Sequence, residues 1–259
     1  MSNAPTDKNN NDWESLKKGN PWHEIFDLKT EELLERLLKN DERFIYSGDK
    51  DIICDRNKVL EEKDKFVTSL LPKPYRGNLK DPKLVILSLN PGYKKRVKKT
   101  LFTLLEAKYQ RQFIEITKEN ALLEARYIIS PKYEVDDVMD NGYWSSRLED
   151  LKREGVDLSK IGLIQYIPYA SERYDSWEKD GSLETQQFSK RIILYLLQSK
   201  TSTLFLVMRS KKKWEELIGK EEMEKYKDNF IFNKHPICQK ISSNNLEDQY
   251  ERIVAALKN

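Results

Sequence analysis

Leu84-Val85-Ile86-Leu87-Ser88-Leu89-Asn90-Pro91-Gly92 decides how this chain folds. Its first six residues are a short, mainly apolar run containing Val and Ile, bounded by breakers on both sides. That is the pattern of a parallel strand covered on both faces, since a strand with one wet face would alternate. Asn90-Pro91-Gly92 then stops the strand abruptly. Pro91 fixes the turn, and Gly92 lets backbone or a ligand approach closely.

Downstream the same signature recurs, separated by helical patterns. Phe102, Leu105, Tyr109, Phe113 and Ile116 stand at helical spacing and predict a crossover helix. A loop around Ser130-Pro131 and Asn141-Gly142 leads to a second strand, Ile161 to Ile167, ended by Pro168. A helix marked by Phe188, Ile192, Ile193, Leu196 and Leu197 precedes a third strand, Thr203 to Met208. A helix carrying Trp214, Leu217 and Ile218 leads to a fourth strand, Phe230 to Asn233, and Leu246 to Leu257 reads as a closing helix with Ile253 and Leu257 inward. Strands alternating with helices predict an α/β fold, a three-layer α/β/α arrangement around a central parallel sheet of about four strands.

Upstream, Pro72, Pro74, Gly77, Asn78, Asp81 and Pro82 form a dense run of breakers, read as a surface connection and the clearest boundary in the chain. Trp13 to Leu71 is helical in pattern, with Leu33, Leu34, Leu37 and Leu38 on one face and Thr30 placed as a cap. The expected organisation is a disordered tail over 1–12, an N-terminal helical extension over 13–71 packed on the domain, and an α/β domain over 72–259.

At 259 residues the chain can bury a core without covalent staples. Its 46 basic and 43 acidic residues nearly balance, so any case for nucleic acid must come from local clusters. Cys54 and Cys238 stand far apart with no Cys-x-x-Cys spacing, which argues against a disulfide framework, a zinc site or a cysteine-held iron-sulfur cluster. The longest apolar run is far shorter than the ~20 residues of a membrane helix. A cytoplasmic, membrane-free protein without metal or cofactor is the expectation, acting as a monomer.

In open parallel sheets, ligands bind beyond the carboxyl ends of the strands. The loops there hold Asn90-Pro91-Gly92-Tyr93, Tyr166 to Ser171, Arg209-Ser210-Lys211 and His235-Pro236. An amide at Asn90 can orient a water or a base edge, although Asn-Pro-Gly is also an ordinary turn. Lys94, Lys95 and Arg96, with Arg209 and Lys211, would flank one crevice and suit phosphates; a solvated helix face is the alternative. Of the two histidines, His23 sits beside Trp22 in the helical region, whereas His235 lies in a loop and can donate to an oxygen gaining negative charge. Tyr93, Tyr166 and Tyr169 could stack on a nucleobase or simply pack in the core.

With these residues in view, the chain resembles the uracil-DNA glycosylase superfamily. Leu87 to Tyr93 is similar to the first motif of its mismatch-specific uracil/thymine branch, and His235-Pro236 to its second motif. Leu163 to Ser171, Leu204 to Trp214 and Leu71-Pro72-Lys73-Pro74-Tyr75 resemble segments of an uncharacterised branch, so the likeness runs from about Leu70 to the carboxyl end. There are departures. Ile237 stands where active relatives carry serine, Ser88 replaces a small glycine, and no leucine wedge follows the second motif, with Ile241 the nearest substitute.

The resemblance implies hydrolysis of the N-glycosidic bond of uracil or a related base flipped out of DNA. Asn90 would orient the attacking water and His235 would stabilise the departing base. Gly92, Tyr93, Tyr166 and Tyr169 would form the base pocket, with Gly92 in place of a bulky tyrosine leaving room for substituents. Lys94, Lys95, Arg96, Arg209 and Lys211 would hold phosphates. The alternative is a protein of the same fold that binds DNA or a nucleotide and has lost the chemistry.

Overall fold

A computed structural model describes residues 12–39, 43–92, 106–132, 142–176, 181–235 and 240–259. Tyr93, Lys94, Lys95, Arg96, Phe102, Leu105, Pro236, Ile237 and Cys238 lie outside them, as do residues 1–11 of the expected tail.

The chain is an α/β protein built on a mixed five-stranded sheet: β1 (Tyr75–Gly77), β2 (Leu84–Ser88), β3 (Ile161–Gln165), β4 (Leu204–Val207) and β5 (Phe230–Phe232), in the order β1-β3-β2-β4-β5. The four strands expected from their apolar runs are present and mutually parallel. β2 is central, and alternate residues serve opposite faces, as the strand period demands. Val85 and Leu87 join one buried cluster with Ile164, Phe205 and Val207, whereas Leu84 and Ile86 join another with Leu163 and Leu206.

The described helices of six residues or more include α1 (Trp13–Lys18), α2 (Thr30–Lys39), α3 (Lys50–Val59), α4 (Ala107–Ala121), α5 (Glu184–Ser199), α6 (Lys211–Ile218) and α7 (Asp248–Lys258). Residues of α1 to α6 contribute to the first cluster, and α7 packs in the second with the short turns Tyr143–Arg147 and Glu149–Arg153. Between β2 and β3 the chain passes first through α4, the expected crossover helix, which packs in the first cluster, and then through those short turns, which pack in the second. β3 and β4 are left in the other direction, toward β5, over the first face, by way of α5 and α6. The neighbouring strands β2 and β4 are thus left in opposite directions along the sheet. This leaves a topological switch point between the carboxyl ends of β2 and β4.

Several expectations are corrected. The run Pro72 to Pro82 is no surface connection: Tyr75, Arg76 and Gly77 are buried and pair antiparallel with Ile164, Leu163 and Gly162. The sheet is therefore mixed rather than wholly parallel. Asp12 belongs to α1 rather than to the tail, because its carboxylate accepts the Ser15 N–H at 2.6 Å and caps the helix. Leu38, expected on the inner face of α2, is 49% exposed, and the apolar face is carried by Leu33 with Leu34 and Leu37. Thr30 is the first residue of that helix.

The edge pairing depends on two glycines. Gly77 has φ +73°, and an added Cβ would run into the Ile161 carbonyl oxygen. A Cβ on Gly162 would run into the Asn78 carbonyl oxygen and the Leu79 side chain. Gly162→Ala is expected to cost about 1–3 kcal/mol, because backbone must move to admit the methyl group. A lowered midpoint in urea unfolding checks this. Gly92→Ala, whose Cβ would meet nothing within 4 Å, is the control and should leave the midpoint where it is.

Candidate functional site at the switch point

Leu87, Val207 and Phe232 lie at one level of the parallel sheet, since Leu87 pairs with Val207 and Val207 with Phe232. Asn90, Ser210 and His235 each fall three residues beyond that level. The three loops thus leave the sheet side by side, and two strand spacings, about 10 Å, separate the carboxyl ends of β2 and β5. Ladder bonds continue past the strand ends, with the Met208 N–H donating to Leu87 O at 3.0 Å and the Asn233 N–H to Val207 O at 3.1 Å.

Asn90 is half-buried, and its orientation is fixed by a residue the sequence did not single out. Its Nδ2 donates to Ser171 Oγ at 2.8 Å and weakly to Pro91 O at 3.4 Å. Ser171 is buried, bridges to Gly92, and donates its own N–H to Pro91 O at 3.3 Å. With both bonds made through the amide nitrogen, Oδ1 is the end of the side chain left to accept from a water or ligand. Gly92 is exposed, and among the described residues nothing lies within 4 Å of where its Cβ would stand.

Gln165, at the end of β3, is a second residue that sequence reasoning missed. It pairs with Ser88, is 7% exposed, and its Oε1 has no hydrogen-bond partner among the described residues. A buried acceptor left unpaired costs about 1–3 kcal/mol and invites an external donor. The signal in the sequence was a polar residue closing an otherwise apolar run, Ile161-Gly162-Leu163-Ile164-Gln165.

His235 is exposed, and its backbone N–H donates to Asn233 Oδ1 at 3.1 Å. Arg209 is exposed on the rim. Lys211 Nζ lies 3.5 Å from Glu215 on its own helix and 4.4 Å from the centre of the Phe232 ring, so its charge is partly matched within the protein. Ser210 holds φ +54°, a left-handed conformation that non-glycine residues rarely adopt, where β4 turns into α6.

Tyr166 and Tyr169 are the packing residues of the two alternatives. Each is 1% exposed. Tyr166 meets Trp214 edge-on at 5.3 Å, and Tyr169 meets Trp22 edge-on at 6.1 Å. Neither ring is free to stack on a base, which corrects the base-binding expectation for both.

The turn that carries Ser171 is held from outside by the N-terminal region. Lys73 and Val67 donate their N–H groups to Pro168 O and Ala170 O, at 2.9 and 2.8 Å. Asp64, buried, takes two 2.6 Å bonds from Arg173, whose guanidinium holds the carboxyl below the usual carboxylate range. Tyr169 OH donates to the fully buried carboxylate of Asp49 at 2.9 Å. Burial pushes the Asp49 carboxyl upward, against the pull of its hydrogen bonds to Thr185 and Tyr169.

A separate open cavity of about 480 Å³ lies along α5, between Lys190, Arg191 and Glu184 and the segment holding Pro21 and Tyr46. None of the candidate site residues lines it. Among the described residues, no group of His, Cys, Asp and Glu is arranged to hold a metal ion, and no helix is long and apolar enough to cross a membrane. Compared with known proteins, the chain matches no family model, no curated protein and no solved structure.

Proposed function

We propose that this protein is a glycosylase-like hydrolase that cleaves the N-glycosidic bond of uracil or a related base in DNA. The observation that carries the reading is the clamped amide of Asn90: its nitrogen is held by Ser171, and its oxygen is left to orient a water beyond the carboxyl end of β2. The transition state is oxocarbenium-like, with negative charge leaving on the base, so it needs an oriented water on one side and hydrogen-bond donors on the other. His235, three residues past the sheet level shared with β2, is the donor for the departing base. Gln165 supplies an unsatisfied acceptor for a base N–H, and the space in front of Gly92 admits substituents. The finer architecture that goes with this reading is the three-layer glycosylase-like sandwich.

The rival reading is a non-catalytic binder of DNA or nucleotides with the same site. It is favoured by Ile237 in place of a serine and by the burial of Tyr166 and Tyr169, which removes two stacking walls. Oligonucleotides bearing uracil, hypoxanthine or mismatched thymine separate the two. The wild type should leave abasic sites, and Asn90→Ala should slow their formation about 100-fold or more, as loss of a positioned group does. Equal background cleavage by both proteins would remove the enzyme reading for those bases. Salt-steep binding without abasic product would establish the rival.

A further inference from the structure

We propose that Asp49 is a positioning residue for the Asn90 site, acting through Tyr169 and the turn that ends at Ser171; the inference rests on the role just given to Asn90. Asp49 is 0% exposed, and three donors from two chain-distant segments converge on its carboxylate. Tyr169 OH reaches Oδ2 at 2.9 Å, Thr185 Oγ1 reaches Oδ2 at 2.5 Å, and the Thr185 N–H reaches Oδ1 at 3.3 Å. The Tyr169 hydroxyl in turn accepts the Tyr46 N–H at 3.3 Å, so both of its hydrogen-bonding roles are filled. Its ring is wedged against Trp22 and Phe66, each 6.1 Å away centre to centre.

Two residues beyond this anchored ring, Ser171 Oγ accepts from Asn90. The path from Asp49 to the amide is therefore one hydrogen bond, two residues of a turn and a second hydrogen bond. The N–H groups of Val67 and Lys73 hold the backbone of that turn on one side, the Ile167 and Ser171 N–H groups bond Leu89 O and Pro91 O on the other, and the Tyr169 hydroxyl ties its side chain to Asp49. Ionised groups are expensive to bury, and an apolar residue would fill the same space at less cost. A buried carboxylate with three fixed donors is suited to specifying one orientation. The N-terminal region, expected from its sequence as a helical extension packed on the domain, thereby becomes the back wall of the site.

The side-chain amide of Asn90 reports on this directly in ¹⁵N-labelled full-length protein, whether or not any base is cleaved. Tyr169→Phe keeps the ring and removes only the hydroxyl. It should speed hydrogen exchange of the Asn90 Nδ2 protons about tenfold, the equivalent of one lost hydrogen bond, and shift their resonances, while backbone amides of α7 keep their protection. Asp49→Ala should do the same and Asp49→Asn, which retains an acceptor, should restore the wild-type signal. An Asn90 resonance unmoved in both Tyr169→Phe and Asp49→Ala overturns the proposal, as does a loss of protection shared equally by α7. Cleavage assays on the same variants read the chemistry separately. If Asn90→Ala has no effect on cleavage while the resonance behaves as expected, it is the glycosylase reading that fails, and the Asp49 tether stands as a device that orients Asn90 for some other task.

Discussion

Trp214→Ala is expected to destabilise the protein by about 3–5 kcal/mol, the cost of removing a fully buried indole and leaving a void that its neighbours fill only in part. Trp214 is 0% exposed in α6 and packs edge-on against Tyr166, immediately after β3, so it fastens the loop after β3 to the helix after β4. The urea midpoint should fall, and the melting temperature should drop by roughly 10 °C for a chain of this length. Trp214→Phe should cost far less. Its ring keeps the contact with Tyr166 and removes an indole N–H that has no hydrogen-bond partner among the described residues, an atom whose burial already costs about 1–3 kcal/mol. An alanine variant as stable as the wild type would mean that the loop after β3 and α6 are not joined through this residue.

The parts of the fold that were legible in the sequence are those whose physics is local. β2, β3, β4 and β5 could be read because a strand buried on both faces must be nearly all apolar, and Leu84 to Leu87 is. β1 could not, because Tyr75-Arg76-Gly77 carries no such run and sits among prolines; its pairing comes from β3 and from two glycines that let the backbones close. The short helices over 143–153 were hidden for a similar reason, each being a single turn or so whose burial comes from Trp144, Leu148 and Leu151 together.

The site divides along the same line. Asn90 and His235 could be singled out because a polar residue at an abrupt strand end is visible in one dimension. Ser171, Gln165 and Asp49 act through partners far away in the chain: Asn90 for Ser171, an unfilled place beside Ser88 for Gln165, and Tyr169 and Thr185 for Asp49. Tyr166 and Tyr169 illustrate the converse. Their loop position fitted stacking as well as packing, and only tertiary contact decides between the two.

On the proposed glycosylase reading, Asn90→Asp is expected to raise the rate of base excision by about 100-fold, because a carboxylate can both orient the water and take its proton, whereas an amide can only orient it. The site is already shaped for the exchange. Ser171 Oγ, which accepts from the amide nitrogen at 2.8 Å, carries a hydroxyl proton that it can donate to a carboxylate oxygen placed there. The variant should therefore keep the wild-type melting temperature, and its rate should rise with pH as the new carboxyl ionises, levelling about one unit above the ordinary aspartate pKa of ~3.9. Single-turnover formation of abasic sites across pH measures both features. A folded Asn90→Asp protein no faster than the wild type would show that water activation is not what this position contributes, and would remove the observation on which the proposed enzyme reading rests.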